Sequence, residues 1–255
     1  MCKKKFLFRE LFFISGLLIL SGIGMAGFSK GAAPDLDGFT PQVGEVLEYK
    51  MILKSVIHGA NQTVKILSKE EFEGHQVLNI RSNLTSVGLV KSLSNYSETE
   101  DIKIDAESFY PRWIRREIHN GGKQQLEEVY FNYETMTAER ELTRTDGSSQ
   151  KVTLKLPGMV QDGVSLPFFF RKGLGRSPNH VFFYSEGSIT EVVCQITLCN
   201  TPVRLKSGNY TGYYQFTDPD SQITIMIGSQ GARVPFLIRM IATFGKIESQ
   251  LVKLQ

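Results

Sequence analysis

Alternation is the feature that most constrains this chain. From Gly44 onward, Val46, Glu48 and Lys50 interleave with Leu47, Tyr49, Met51 and Leu53. Successive side chains of an extended strand point to opposite faces, so this pattern is a long strand with one apolar face. The same period predicts strands at Thr63–Lys69, Gln76–Asn83, Ser97–Ile104, Tyr110–His119, Gln125–Tyr133, Ala138–Arg144 and Lys151–Leu156. It resumes after Gly173 with Val181–Ser185, Thr190–Thr197, Val203–Lys206, Tyr213–Thr217, Gln222–Ile227, Phe236–Thr243 and Ile247–Lys253. Asn120-Gly121-Gly122 and Asp146-Gly147 supply residues that tolerate positive φ where hairpins must turn. Short strands joined by tight turns predict an all-β fold, an antiparallel meander forming a barrel or half-barrel. One or two short helices interrupt it. Val87–Leu93 is one candidate; the other is Gly163–Lys172, with Asp162 as N-cap, though Pro167 limits it because an interior proline breaks the ladder unless it lies in the first turn.

The N-terminus has a different pattern. Lys3, Lys4, Lys5 and Arg9 precede an apolar run from Leu11 to Ile23, and Gly24-Met25-Ala26 places small residues at a cleavage point. This reads as a secretory signal over residues 1–26, followed by a flexible leader, 27–43, and a single β domain, 44–255. An uncleaved N-terminal anchor is the alternative. Cys2 precedes the apolar run, so no cysteine stands where a lipoprotein would be acylated. The chain holds 29 basic and 26 acidic residues; residues 1–26 carry four of the former and one of the latter. The remainder therefore has 25 of each, a net charge of zero. Nucleic acid is excluded as a partner, because it requires a concentrated positive footprint. For an exported chain, Cys194 and Cys199 are expected to form a disulfide, with two buried free thiols as the alternative. Five residues apart on a regular strand they would face opposite ways, so the bridge requires a bend between them.

Several segments recur in a recognisable order: Gly44-Glu45-Val46-Leu47-Glu48-Tyr49, Tyr110-Pro111-Arg112, Asp162-x-x-Ser165 ending at Arg171, Arg233-Val234-Pro235, and Phe244-Gly245. Together they resemble the exported bacterial family known as domain of unknown function 3108, over roughly residues 40–255. The chain departs from that pattern in Phe168-Phe169-Phe170 and in its two cysteines. The resemblance implies a periplasmic β barrel or half-barrel, similar in outline to envelope carriers that hold lipidic groups in a concave sheet. It implies no established activity.

Sequence motifs for catalysis are missing. There is no G-x-S-x-G elbow, H-E-x-x-H, Walker loop or dinucleotide fingerprint, and His58, His75, His119 and His180 are scattered. No catalytic residue, metal site or cofactor is expected. Two segments are candidate ligand sites. Asp162, Ser165 and Arg171 would line a barrel mouth, Arg171 pairing an anionic head group with its planar fork; structurally, the same residues would cap a helix whose phenylalanines plug the barrel. Arg112 and Trp113, with Arg115 and Arg116, could form an anionic-ligand or interfacial patch. Their structural alternative is a core tryptophan with arginines paired to Glu117, Glu127 and Glu128. Glu98-Thr99-Glu100-Asp101 reads as an exposed strand edge, guarded by charge.

Three functions fit these observations. The first is non-catalytic binding of an apolar or amphipathic ligand inside the curved sheet. The second is a structural or assembly factor that docks another envelope protein, with at most peripheral membrane contact; the third is a glycan-acting enzyme. A carrier requires a continuous apolar cavity, an assembly factor a filled interior plus an exposed apolar patch, and a glycosidase two carboxylates in a polar cleft. Seventeen phenylalanines and nine tyrosines suit a lined cavity and a filled core equally.

Overall fold

The computed structural model describes residues 39–174, 180–218, 222–242 and 245–255. The expected signal, most of the leader and Phe244 lie outside these residues. A first run of hairpins comprises β1 (Val46–Leu53), β2 (Ile57–Phe72), β3 (His75–Ser86), β4 (Ser97–Asp105), β5 (Pro111–Asn120), β6 (Lys123–Asn132), β7 (Thr137–Arg144) and β8 (Ser149–Lys155). Helix α1 (Gly88–Ser94) bridges β3 and β4. A central insertion follows: β9 (Val160–Gln161), helix α2 (Ser165–Lys172), β10 (His180–Ser185) and β11 (Ser188–Val193). The chain then runs through β12 (Gln195–Cys199), β13 (Val203–Leu205), β14 (Gly208–Tyr210), β15 (Tyr213–Thr217), β16 (Ile223–Gly228), β17 (Pro235–Ala242) and β18 (Gly245–Leu254).

Thirteen strands form one antiparallel sheet in the order β12-β15-β16-β17-β18-β1-β2-β3-β4-β5-β6-β7-β8. It does not close, so the expected barrel or half-barrel is of the open kind, with β12 and β8 as its outer strands. The seam between the two runs is the β1–β18 pair, from Leu47 opposite Leu254 to Leu53 opposite Ile247. Val46 and Gln255 exchange both backbone hydrogen bonds at 3.0 Å. Register shifts after Glu48, Met51, Ile66, Lys103 and Met226 add the bend and twist that a strongly curved sheet needs. Both expected hairpin turns form, with positive φ at Gly121, Gly122 and Gly147.

The inner face of this sheet is covered by the insertion. β9, β10 and β11 make a small second sheet in which β9 and β10 run parallel, a pairing that the reading of a pure meander missed. Between the two sheets lies α2. Its three phenylalanines point in separate directions. Phe168 joins the main core with Leu47, Ile80, Ile114 and Phe236. Phe170 stacks on Phe216 at 4.1 Å, within a second cluster containing Leu166, Val181 and Ile225. Phe169 meets Tyr110 at 5.4 Å. Each fully buried aromatic side chain contributes about 1.5–3 kcal/mol. Pro167 falls in the first turn, where its missing N–H leaves no gap, and Arg171 and Lys172 end the helix at its negative pole. A methyl group at Gly158 would stand 2.5 Å from the Phe182 ring, so only glycine lets the approach to β9 pass beneath β10.

Cys194 and Cys199 are free thiols, which corrects the expected disulfide. No bend intervenes: Cys194 directly precedes the regular strand β12 and Cys199 is its last residue, and their side chains join different clusters. Burial pushes the Cys194 thiol up to about 12, leaving it a poor nucleophile.

Candidate functional site

The most concentrated polar chemistry lies inside the fold, around Arg116. In β4, Glu98 and Glu100 share the inward phase of Ile102 and Ile104. The strand sits between β3 and β5 rather than at an edge, and both glutamates are buried. The reading of Glu98–Asp101 as an exposed edge is thereby corrected. Glu100 lies opposite Arg116 on β5, which lies opposite Glu127 on β6. The register thus delivers alternating charges across three strands. Arg116 Nε donates to Glu100 Oε2 at 2.9 Å and Nη1 donates to Glu127 Oε2 at 3.0 Å. Glu98 Oε1 lies 3.4 Å from Nε, and Asp162 Oδ2 4.0 Å from Nη2.

A second layer surrounds this centre. Arg140 Nε donates to Glu127 Oε1 at 2.5 Å, and the Tyr184 hydroxyl donates to the same oxygen at 2.8 Å. The Tyr96 hydroxyl donates to Glu98 Oε2. Burial, reinforced by the neighbouring carboxylates, raises the pKa of both phenols. Burial also raises Glu100 well above the usual carboxylate range; Arg116 opposes this and Asp162 adds to it. For Arg116, burial acts downward, but Glu100, Glu98 and Glu127 prevail and hold it charged. The arrangement is a closed charge network: Glu100 is 2% exposed, Arg116 1% and Asp162 0%.

Asp162 and Ser165 connect this network to α2. Ser165 N–H donates to Asp162 Oδ1 at 2.7 Å, and Asp162 N–H donates to Ser165 Oγ at 2.9 Å. The pair closes the helix entrance reciprocally, which accounts for the spacing Asp162-x-x-Ser165. At the other end, Arg171 Nη1 and Nη2 donate to Glu45 Oε1 and Oε2 at 2.6 and 2.8 Å. Nη2 also reaches the Ala232 carbonyl at 3.0 Å, and the guanidinium lies over Phe39 at 4.4 Å. Arg171 is fully buried. Its fork is therefore filled by a carboxylate of the protein itself, and the expected placement at a barrel mouth is corrected. Glu45, Arg171 and Arg233, which carried the family resemblance in separate motifs, meet at this clamp: Arg233 Nη1 donates to the Arg171 carbonyl at 3.4 Å.

Arg112 and Trp113 do not join Asp162, Ser165 and Arg171 in one site. Arg112 lies 3.4 Å from Asp105. Trp113 is half-buried on the opposite face of β5 from Arg116, with Lys103 Nζ 5.6 Å from its ring and Tyr130 at 6.4 Å. It is neither core nor part of the network. Arg115 pairs with Glu117 at 2.5 Å, one of the expected partners, and Arg116 with Glu127, another. Two surface depressions are shallow. One, of about 550 Å³, lies beside Phe39, His75 and Lys172; the other, of about 340 Å³, lies beside His119 and Arg144. Neither is lined by Arg116, Glu100 or Asp162.

An open antiparallel half-barrel with a plugged interior and a solvent-excluded charge network defines the class of protein. The chain belongs to the family described as "Protein of unknown function (DUF3108)", whose profile matches residues 48–190. No curated protein matches it. Among solved structures it is similar to a β-barrel-like protein of domain of unknown function DUF1849 from Brucella abortus, at 12% identity and a TM-score of 0.48, covering 85% of this chain and 98% of that one. It is also similar to a candidate lipoprotein from Parabacteroides distasonis, at 7% identity and a TM-score of 0.30, covering 85% and 97%.

Proposed function

We propose that this protein is a non-catalytic factor of the cell envelope that docks an extended segment of another envelope protein along the free edge of β12. The filled interior carries this reading. Among the described residues, α2 and the β9–β11 sheet occupy the concave face where a lipid carrier would keep its cavity. The buried carboxylates, the feature a glycosidase would need, are spent on Arg116 and Arg140.

The two outer strands differ in how they meet solvent. β8 carries Lys151 and Lys155, charges that discourage edge pairing. β12, Gln-Ile-Thr-Leu-Cys, has no charge and no proline, and Leu198 is 55% exposed. Main-chain groups along such an edge can accept an added strand, with exposed side chains reading the partner.

Photoreactive residues placed at Thr197 and Leu198, and at Thr153 in β8, test this in cells. Cross-linking from β12 to one segment of one envelope protein, with none from β8, is the expected result. Equal capture at both edges would overturn the proposal. So would a near-stoichiometric lipid found by organic extraction and mass spectrometry of gently purified protein, which would restore the carrier reading.

A further inference from the structure

One end of the half-barrel carries apolar side chains that the fold leaves uncovered. The β1–β2 turn presents Val56, 81% exposed, next to Ile57. Lys54 and Ser55 take positive φ at 49° and 64°, the conformation of a tight hairpin that drives the next residue outward. In α1, Val90 and Ser94 face the protein, so Leu89 and Leu93, one turn apart, share the outward face at 63% and 57% exposure. Ile241, at the end of β17, is 56% exposed.

These segments form one continuous surface. Gly59 is hemmed in by the Leu53 and Val90 side chains, which pins α1 against the β1–β2 hairpin. Lys54 N–H donates to the Lys246 carbonyl at 2.7 Å, joining that hairpin to the β17–β18 connection. The Ser94 carbonyl abuts Gly121, so the β5–β6 turn closes the far side. Residues 54–57, 88–95 and 120–123 contain three lysines, Lys54, Lys91 and Lys123, and no acid. The rest of residues 44–255 holds 21 basic and 23 acidic residues, so the pairing of bare leucines with excess lysines is local. The acids closest along the fold lie outside these three segments: Glu98, four residues beyond α1, is held by Tyr96 and Arg116, Glu248, opposite Ile52, pairs with Arg239 and Lys246, and Asp146 sits in the β7–β8 turn.

We infer that this end seats on an anionic phospholipid surface, with Val56, Leu89 and Leu93 entering the headgroup layer and Lys54, Lys91 and Lys123 contacting phosphates. Apolar side chains set among lysines match a bilayer interface in both components: acyl chains receive the first and anionic headgroups the second. A protein partner would not require both features at the tips of separate turns. The seat is distinct from the β12 edge, and its failure would leave the docking proposal standing.

Hydrogen–deuterium exchange of the full chain on vesicles tests the inference, because it reads position along the sequence even if another segment also holds the chain to lipid. With phosphatidylglycerol vesicles, exchange should slow in residues 52–59 and 87–95, and much less with phosphatidylcholine. Lys54→Gln and Lys91→Gln should each reduce that protection about fivefold. Leu89→Gln with Leu93→Gln, both exposed and so harmless to folding, should abolish it with an unchanged melting curve. Vesicle-bound protein without protection in these peptides would overturn the inference, as would equal protection on neutral vesicles.

Discussion

At the residue scale, Arg116 holds the interior together, and its neighbours differ in what they tolerate. Replacing it with leucine leaves Glu98 and Asp162 buried without their cation and Glu127 with Arg140 alone. The expected cost is about 3–5 kcal/mol, read as a lowered urea midpoint. Glu100 should behave in the opposite way. Unfolded, it ionises near about pH 4.3, whereas burial and Asp162 raise its folded value well above that. Between the two values the native state holds the extra proton, so this group's contribution to stability falls as pH rises. Glu100→Gln keeps the hydrogen-bonding shape and removes the titration. The variant should be at least as stable as the parent at neutral pH, with a flatter stability profile from about pH 4 to 7. A profile unchanged by the substitution would show that Glu100 is already ionised in the fold. The signal for this buried acid was present in the sequence: Glu98 and Glu100 keep phase with Ile102 and Ile104. Charge outweighed phase, and the phase was right. Arg171 was legible as an arginine with a task, but Glu45, 126 residues away, was not legible as its partner.

At the scale of elements, α2 and its approach plug the half-barrel. Glu45→Ala would strand Arg171 in a dry site and should cost about 3–5 kcal/mol, more than a surface pair would. Gly158→Ala forces a methyl group against Phe182 and should cost about 1–3 kcal/mol. Leu198→Lys, on an exposed edge, should stay within about 0.5 kcal/mol of the parent while abolishing the cross-link expected from β12. Period two and turn residues made nearly every long strand legible, and α1 and α2 were found within two residues of their ends. Two residues of β9 carry no period at all. Its parallel pairing with β10 depends on where α2 returns the chain, a tertiary fact with no local signature. The cysteine reading failed for a related reason: compartment chemistry favoured a bridge, but the straightness of β12 decided the geometry.

At the scale of the molecule, the large sheet depends on contacts far apart in sequence. β1 cannot complete its pairing until β18 arrives, and such non-local closure slows folding. Removing residues 245–255 should therefore abolish the cooperative melt rather than merely lower its midpoint, as followed by near-ultraviolet circular dichroism. The seam also means that the physical ends of the sheet, β8 and β12, lie in the middle of the chain, while its first and last described strands lie side by side. The topology is close to a ring cut at an arbitrary point. A circular permutant that links Gln255 to Gly44 and opens between Asp146 and Gly147 would begin at β8 and finish at β7, with every other hairpin intact.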